Sequence, residues 1–244
     1  MLGLLMSCAL RATGTGADER ARALDEADAL WAARATPGTL DTAMDRWLAR
    51  LAEDPEDPVV LARLSRGEWT RGQIDPAGAV PHFETGQDYG WRCLLGWPAF
   101  AVTIDAVGYS VTPEAVSALP PEAATCLLWT AANGLSLVAA RGPGAALELD
   151  GVRVLLDRLG QLAAAEDDPG FRAWAEAQLL VLTAAPGPPP AEARGRFTAA
   201  IAAAPDVGLF RRDYAAAFPD AANLAWAGFS PGGAWGLENA VWAE

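Results

Sequence analysis

Side-chain chemistry needs groups that titrate, attack or ligate, and this chain offers few of them in usable combinations. Its one histidine is His82. A hydrolytic triad built on it would need a nucleophile within hydrogen-bond reach, yet no Gly-x-Ser-x-Gly elbow occurs and no cysteine is recognisably paired with it. A lone histidine also excludes His-rich metal sites. What is left is a partly exposed structural histidine near a helix start, rather than a general base. Neither a P-loop nor a Gly-x-Gly-x-x-Gly fingerprint occurs, and the glycines cluster in turns. The acidic groups Asp54/Asp57 and Glu166-Asp167-Asp168 fall where helix caps belong, so capping accounts for them without acid catalysis. The expectation is a protein that is not an enzyme, with no catalytic residue, no metal site and no cofactor.

The aromatic content points elsewhere. Ten tryptophans in 244 residues read mostly as core between packed helices. Trp129 and Asn133 are four residues apart and share a helix face. An asparagine beside a tryptophan on an apolar helix either caps a backbone group or faces a cavity. Together with Tyr89, Trp91 and Tyr214 these two form the candidate ligand-lining set.

The three cysteines are Cys8, Cys93 and Cys126. They contain no Cys-x-x-Cys pair and lie too far apart for a zinc knuckle. Cys93 and Cys126 allow a bridge in an oxidising compartment or two small buried thiols. The second is favoured, because free cysteine is among the most buried residue types. Cys8 closes the run Leu5-Met6-Ser7-Cys8, which looks like the end of a bacterial lipoprotein signal, where a small residue precedes the lipidated cysteine. The basic n-region and most of the apolar h-region are missing ahead of it. Ala9 to Ala17 is polar and rich in glycine and threonine, as a tether would be. The expected organisation is residues 1–17 as signal remnant and flexible tether, and residues 18–244 as a single helical domain.

The elements that must position these residues are written in the punctuation of the chain. Hydrophobic residues make up 52% of the sequence, which is enough for a sizeable core and far above what a disordered chain carries. The net charge of −13 and the lack of any basic stripe argue against nucleic acid and anionic lipid as partners. Leu24, Ala27, Leu30 and Trp31 form one apolar stripe, and Leu40, Ala43, Met44, Trp47, Leu48 and Leu51 form a second at helical spacing. Asp57 reads as an N-cap with Pro58 at the first helical position, opening a helix through Val60, Leu61 and Leu64 to Trp69. Further helices are expected from about Pro81 to Leu95, after Thr112-Pro113, from Pro120-Pro121-Glu122 to Gly142-Pro143-Gly144, over Leu147–Leu162, after Asp168-Pro169, and over Ala191–Ala204. A last one, capped by Asp206, carries Leu209, Phe210 and Tyr214. Phe100 to Val111 alternates enough to pass for a strand, although Gly108 and the helical context speak against it. Ala123 to Ala140 is charge-free and near the lower length for a membrane span. Its Thr125, Thr130, Asn133, Gly134 and Ser136 fit better with a helix packed on both sides inside a solenoid.

Tetratricopeptide repeats place a small residue, an aromatic four later, a small residue three after that and a proline five beyond in their second helix. Ala193, Phe197, Ala200 and Pro205 meet all four positions. Ala43, Trp47 and Pro55 meet three, with Arg50 at the other small position. Gly86, Cys93 and Pro98 give a weaker echo, with Gly90 where the aromatic should be. The echoes are not spaced by whole repeats. The fold class expected is all-α, an irregular TPR-like α-solenoid of antiparallel helical hairpins.

From Ala21 to Glu244 the chain resembles the TatT family of proteins associated with TRAP transporters. Four blocks carry the resemblance: the hairpin ending Leu51-Ala52-Glu53-Asp54-Pro55; His82-Phe83-Glu84-Thr85-Gly86 leading to Tyr89-Gly90-Trp91-Arg92-Cys93-Leu94; Leu127-Leu128-Trp129-Thr130-Ala131-Ala132-Asn133-Gly134-Leu135; and Arg196-Phe197-Thr198-Ala199-Ala200-Ile201 followed by Arg211-Arg212-Asp213-Tyr214-Ala215. Leu237-Glu238-Asn239 is similar to the start of the family's terminal helix. Trp91, Gly96, Trp97 and the stretch from Phe100 to Thr112 depart from the family's pattern. The resemblance implies a periplasmic protein, lipid-anchored through Cys8 to a bacterial membrane, that works beside the solute-binding component of a TRAP transporter. It further implies a homotrimer with a cavity for a small apolar ligand. The alternative is a generic TPR-like interaction scaffold with no transport role.

Overall fold

The computed structural model describes residues 12–162, 168 and 170–221. Its centre is the helix that contains the charge-free stretch ending at Ala140. This helix, α7 (Ala124–Arg141), buries fourteen of its eighteen residues. By length and composition it could cross a membrane, but 83% of its apolar window lies inside the protein. It packs on α3 (Pro58–Ile74), α4 (Ala79–Leu95), α8 (Leu149–Gln161) and α9 (Phe171–Ala184). A helix enclosed in this way needs no charged face, which is why its sequence reads as apolar nearly all round.

The chain is all-α: the described residues form eleven α-helices and no strand. Helices α1 (Ala12–Ala32) and α2 (Thr39–Glu53) pack together, α2 packs on α3, and α3 on α4. Helices α5 (Pro98–Ala106) and α6 (Pro113–Ser117) are short, and α6 leans on α8. At the far end α9 packs on α10 (Ala191–Ala203), and α10 on α11 (Gly208–Ala217). Contacts thus pass mostly from each helix to the next, as short connections between amphipathic helices require.

Several local signals act as the sequence implies. The Asp57 carboxylate accepts from the backbone N–H of Val59 and Val60 at 3.0 and 3.3 Å, with Pro58 next in line. Thr112 Oγ1 accepts from Ala115 N–H ahead of α6. Gly142, at φ 78°, ends α7 in a conformation that suits glycine. In the repeat-like segment of α10, Ala193, Phe197 and Ala200 are all fully buried. In α2, Ala43 and Trp47 are likewise buried, and Arg50 fits at the small position because its guanidinium reaches back to Glu53 and Asp57.

Other expectations are corrected. The segment that passes for a strand is helical over Pro98–Ala106, closed by Gly108 and Tyr109, both at positive φ. Helix α1 begins at Ala12, inside the stretch expected as a tether. The Asp168 side chain is not a cap: Gly170, at φ 85°, stands at the N-cap of α9, and the Asp168 carboxylate accepts from Arg66 Nη1 of α3 at 3.1 and 2.9 Å, while its carbonyl accepts from Phe171 N–H at 3.3 Å. Asp54 does stand at the C-cap of α2, closing that helix as its place in the sequence implies. Val207 rather than Asp206 occupies the N-cap of α11, with no side-chain hydrogen bond. Cys93 and Cys126 form a disulfide joining α4 to α7, so the bridged state replaces the two free thiols favoured from the sequence. Cys8, Glu166, Asp167 and Leu237-Glu238-Asn239 lie outside the described residues.

Candidate functional site

The close approach of α4 and α7 sets the geometry from which a site opens. A Cβ on Gly86 would stand 2.3 Å from the Asn133 side-chain oxygen, and one on Gly90 would stand 2.3 Å from Thr130 Oγ1 and 3.0 Å from its Cα. This explains the missing aromatic of the third repeat echo, because α7 occupies the space that an aromatic at position 90 would fill. Asn133 in turn donates through Nδ2 to Ser65 O, Ser65 Oγ and Trp129 O. Of the two roles open to it, it performs backbone capping. Ser65 completes the joint by donating to Gly86 O at 2.7 Å.

Below this joint, α3, α4, α7, α9 and α11 enclose a cleft of about 500 Å³. Ligand pockets commonly span about 300–1,000 Å³ and combine an apolar lining with a few convergent polar groups. One wall is apolar: Ala79 and Phe83 from α4, Leu135, Ala139 and Ala140 from α7, and Val181 from α9. The other is a connected polar strip. Trp69 Nε1 and Gln73 Nε2 both donate to Ser136 Oγ, at 3.0 and 3.3 Å. Arg212 Nη2 donates to Gln73 Oε1 at 2.9 Å, and Arg212 Nε to Asp213 Oδ1 at 2.7 Å. Trp174 Nε1 and Gln178 Nε2 converge on Asp213 Oδ2 at 2.8 and 2.6 Å. The strip places one cation and one anion side by side, so the cleft is polar on one flank without a net charge.

The five residues expected to line a ligand site lie apart from this cleft and are not gathered into one site. Trp129 is fully buried against Trp69 and Phe171, with ring centroids at 5.3 and 5.1 Å. Asn133 is equally buried and contacts Trp129 through the backbone bond already described. Tyr214 sits between Phe197 and Phe218 near the end of α11. Tyr89 and Trp91 are half-buried on α4, with the Arg92 guanidinium over the Tyr89 ring. Burial raises the Tyr89 phenol above its ordinary value, and the nearby Glu68 carboxylate adds to the effect. None of the five is among the cleft's lining residues. The polar strip was missed because Gln73, Ser136, Gln178 and the Arg212-Asp213 pair come from four separate helices. Its one visible signal was the charged run Arg211-Arg212-Asp213 on a helix otherwise rich in alanine and aromatics.

His82 Nδ1 lies within hydrogen-bond distance of Glu68 Oε2, at 2.7 Å. The other Glu68 oxygen accepts from Arg71, which continues to Asp41. The network ties α2, α3 and α4 together. Among the described residues no group of three or more histidines, cysteines, aspartates or glutamates gathers as a metal site would require. A second cavity, of about 460 Å³, lies beside the disulfide and is lined in part by Asp28, Arg63, Arg66 and Trp97. Its arginines are closed by carboxylates, Arg63 by Asp28 and Arg66 by Asp168.

No family model and no curated protein matches the chain. What the cleft can do therefore rests on its own geometry. It offers shape, apolar area and hydrogen-bonding groups, the features that ligand pockets combine.

Proposed function

We propose that this chain is a non-catalytic periplasmic accessory protein of a TRAP-type transport system. Cys8 carries the lipid that holds it to the membrane. The chain binds the system's solute-binding component and houses a small, largely apolar ligand in the cleft between α3, α4, α7, α9 and α11. The observation that carries the reading is that cleft: it has the volume of a ligand site, and an apolar wall faces a preorganised polar strip. The disulfide between Cys93 and Cys126 supports export, since such bonds persist in oxidising compartments and are rare where thiols are kept reduced. The neighbour-to-neighbour order of the helices supports a TPR-like array, the architecture that the sequence resemblance implies.

Native mass spectrometry of the chain from Ala9 onward, purified without delipidation, tests the proposal. A trimer with a reproducible small-molecule adduct is the expected result. A bare monomer that instead captures peptides would leave a generic interaction scaffold as the better account.

A further inference from the structure

Among the described residues seven large hydrophobic side chains are exposed, and four of them gather at one edge: Val102 at 72%, Val107, Tyr109 at 65% and Leu147 at 89%. Two contacts bring them together. Val111 lies against Gly151 near the start of α8, where an added Cβ would meet its side chain at 3.6 Å, and Leu119 O accepts from Arg158 Nη2 near the other end. Residues 111–119 therefore run along α8 in its own direction, which carries Val107 and Tyr109 toward the end that Leu147 precedes. Two residues of chain and about one helical turn separate Tyr109 and Leu147 from the Val111–Gly151 contact, so both fall within a footprint of about 800 Å² per partner. Helix α5 buries only Phe100 and Ile104, yet Asp105 is its one charged residue. A helix wetted on one face ordinarily carries charge there. Tyr109 gives a second, independent sign. It is the one non-glycine among the described residues at positive φ, 60°, and its N–H donates to Ile104 O at 2.8 Å. Glycine or asparagine would take that backbone with less strain, and an exposed ring there costs stability that burial does not return.

The charge around the patch points to its occupant. No basic residue occurs between Arg92 and Arg141. Asp105 and Glu114 are exposed within that stretch, and Glu148 and Asp150 are exposed beside Leu147. Of the arginines that follow, Arg141 is held by Glu84 and Glu148, and Arg153 stands 3.8 Å from Asp150. The apolar centre thus has an acidic rim. A second copy docked through the same face would set these acids against each other. An anionic lipid surface would be repelled for the same reason. We infer that this edge docks a partner protein whose apolar patch is rimmed by arginine or lysine, an inference that rests on the partner-binding half of the proposed function.

Fluorescence anisotropy with two labelled amphipathic helical peptides, one of leucine and arginine and one of leucine and glutamate, reads docking on the full chain. The arginine peptide is expected to bind about tenfold more tightly, with an advantage that shrinks as salt rises. The double variant Val102→Ser/Tyr109→Asn removes the apolar centre without adding charge. It should weaken the arginine peptide about tenfold while the melting temperature holds or rises, because asparagine suits the positive φ. Leu48→Ser, an equivalent loss of an exposed apolar side chain on α2, should leave binding unchanged. Asp105→Asn/Glu114→Gln should narrow the preference between the peptides. Binding that the double variant leaves intact, or that Leu48→Ser lowers as much, would overturn this edge as the docking face while partner binding elsewhere on the chain stands. Failure of both peptides to bind would overturn the edge and its assigned chemistry together. A trimer that the double variant dissociates would give the edge to copies of this chain, and binding to phosphatidylcholine vesicles that the same variant abolishes would give it to a membrane. Either result overturns the partner assignment.

Discussion

At the scale of single residues Tyr89 carries a consequence for pH. Its phenol is held above the ordinary tyrosine value near 10 by burial, with the Glu68 carboxylate adding to the effect. The folded state therefore keeps the proton longer than the unfolded chain does. The associated stability is present in full below the ordinary tyrosine range and is lost as pH rises through the raised value. An ultraviolet difference titration should show a tyrosine component ionising late, and Tyr89→Phe should remove it and flatten the alkaline loss of stability. An unchanged titration curve in that variant would contradict the assignment. The sequence made the adjacency of Trp129 and Asn133 legible through their spacing, but not the side of the helix pair to which Asn133 turns. That choice depends on Ser65, 68 residues away in the chain, whose carbonyl takes one of the amide hydrogens.

At the scale of elements the boundaries were legible wherever proline, glycine or a capping side chain marks them. Asp57-Pro58 and Gly142 are examples, because the chemistry that ends or opens a helix there is local. The caps at Asp168 and Asp206 misled because a glycine at positive φ and a valine do the work instead, and because Arg66 takes Asp168 for a tertiary pair. Helix contacts are the harder part, and glycine substitutions separate the two kinds of information. At Gly195 in α10 an added methyl would meet nothing within 4 Å, whereas at Gly90 in α4 it would face the Thr130 backbone at 3.0 Å. Gly195→Ala should raise stability by about 0.5–1 kcal/mol through helix propensity. Gly90→Ala gains the same propensity yet should lose about 1–3 kcal/mol overall, because the backbone of α7 cannot step aside as a side chain could. Thermal melts of the two variants should therefore move in opposite directions, and parallel shifts would refute the close approach of α4 and α7.

At the scale of the whole molecule one covalent link spans 33 residues of sequence between α4 and α7. Closing a loop of that order stabilises a fold by about 3–4 kcal/mol in the chain-entropy account. The double variant Cys93→Ala/Cys126→Ala should melt several degrees below the parent under non-oxidising handling, and the parent itself should melt lower once reduced. A parent whose melting is indifferent to reductant would show that the bridge does not form in solution. The helical class and most helix positions could be read from periodicity, whereas the cleft could not. It is assembled from Gln73, Ser136, Gln178 and Arg212, whose nearness depends on α7 standing at the centre and on α11 returning to α3.

The joint between α4 and α7 also decides which part of the protein can yield to a visitor. A helix pair held by glycines at contact distance, by the Ser65–Gly86 and Ser65–Asn133 bonds and by a disulfide has no room to slide or rotate, and α3 is tied to it through Ser65. Under the proposed function, entry to the cleft would come from the opposite bank, where α11 packs on α10 and is tied to α3 by the Arg212–Gln73 bond and to α9 by the bonds from Trp174 and Gln178 to Asp213. Those ties would have to loosen for a ligand to pass. Admission would therefore turn on α11, while α3, α4 and α7 hold the shape of the cleft.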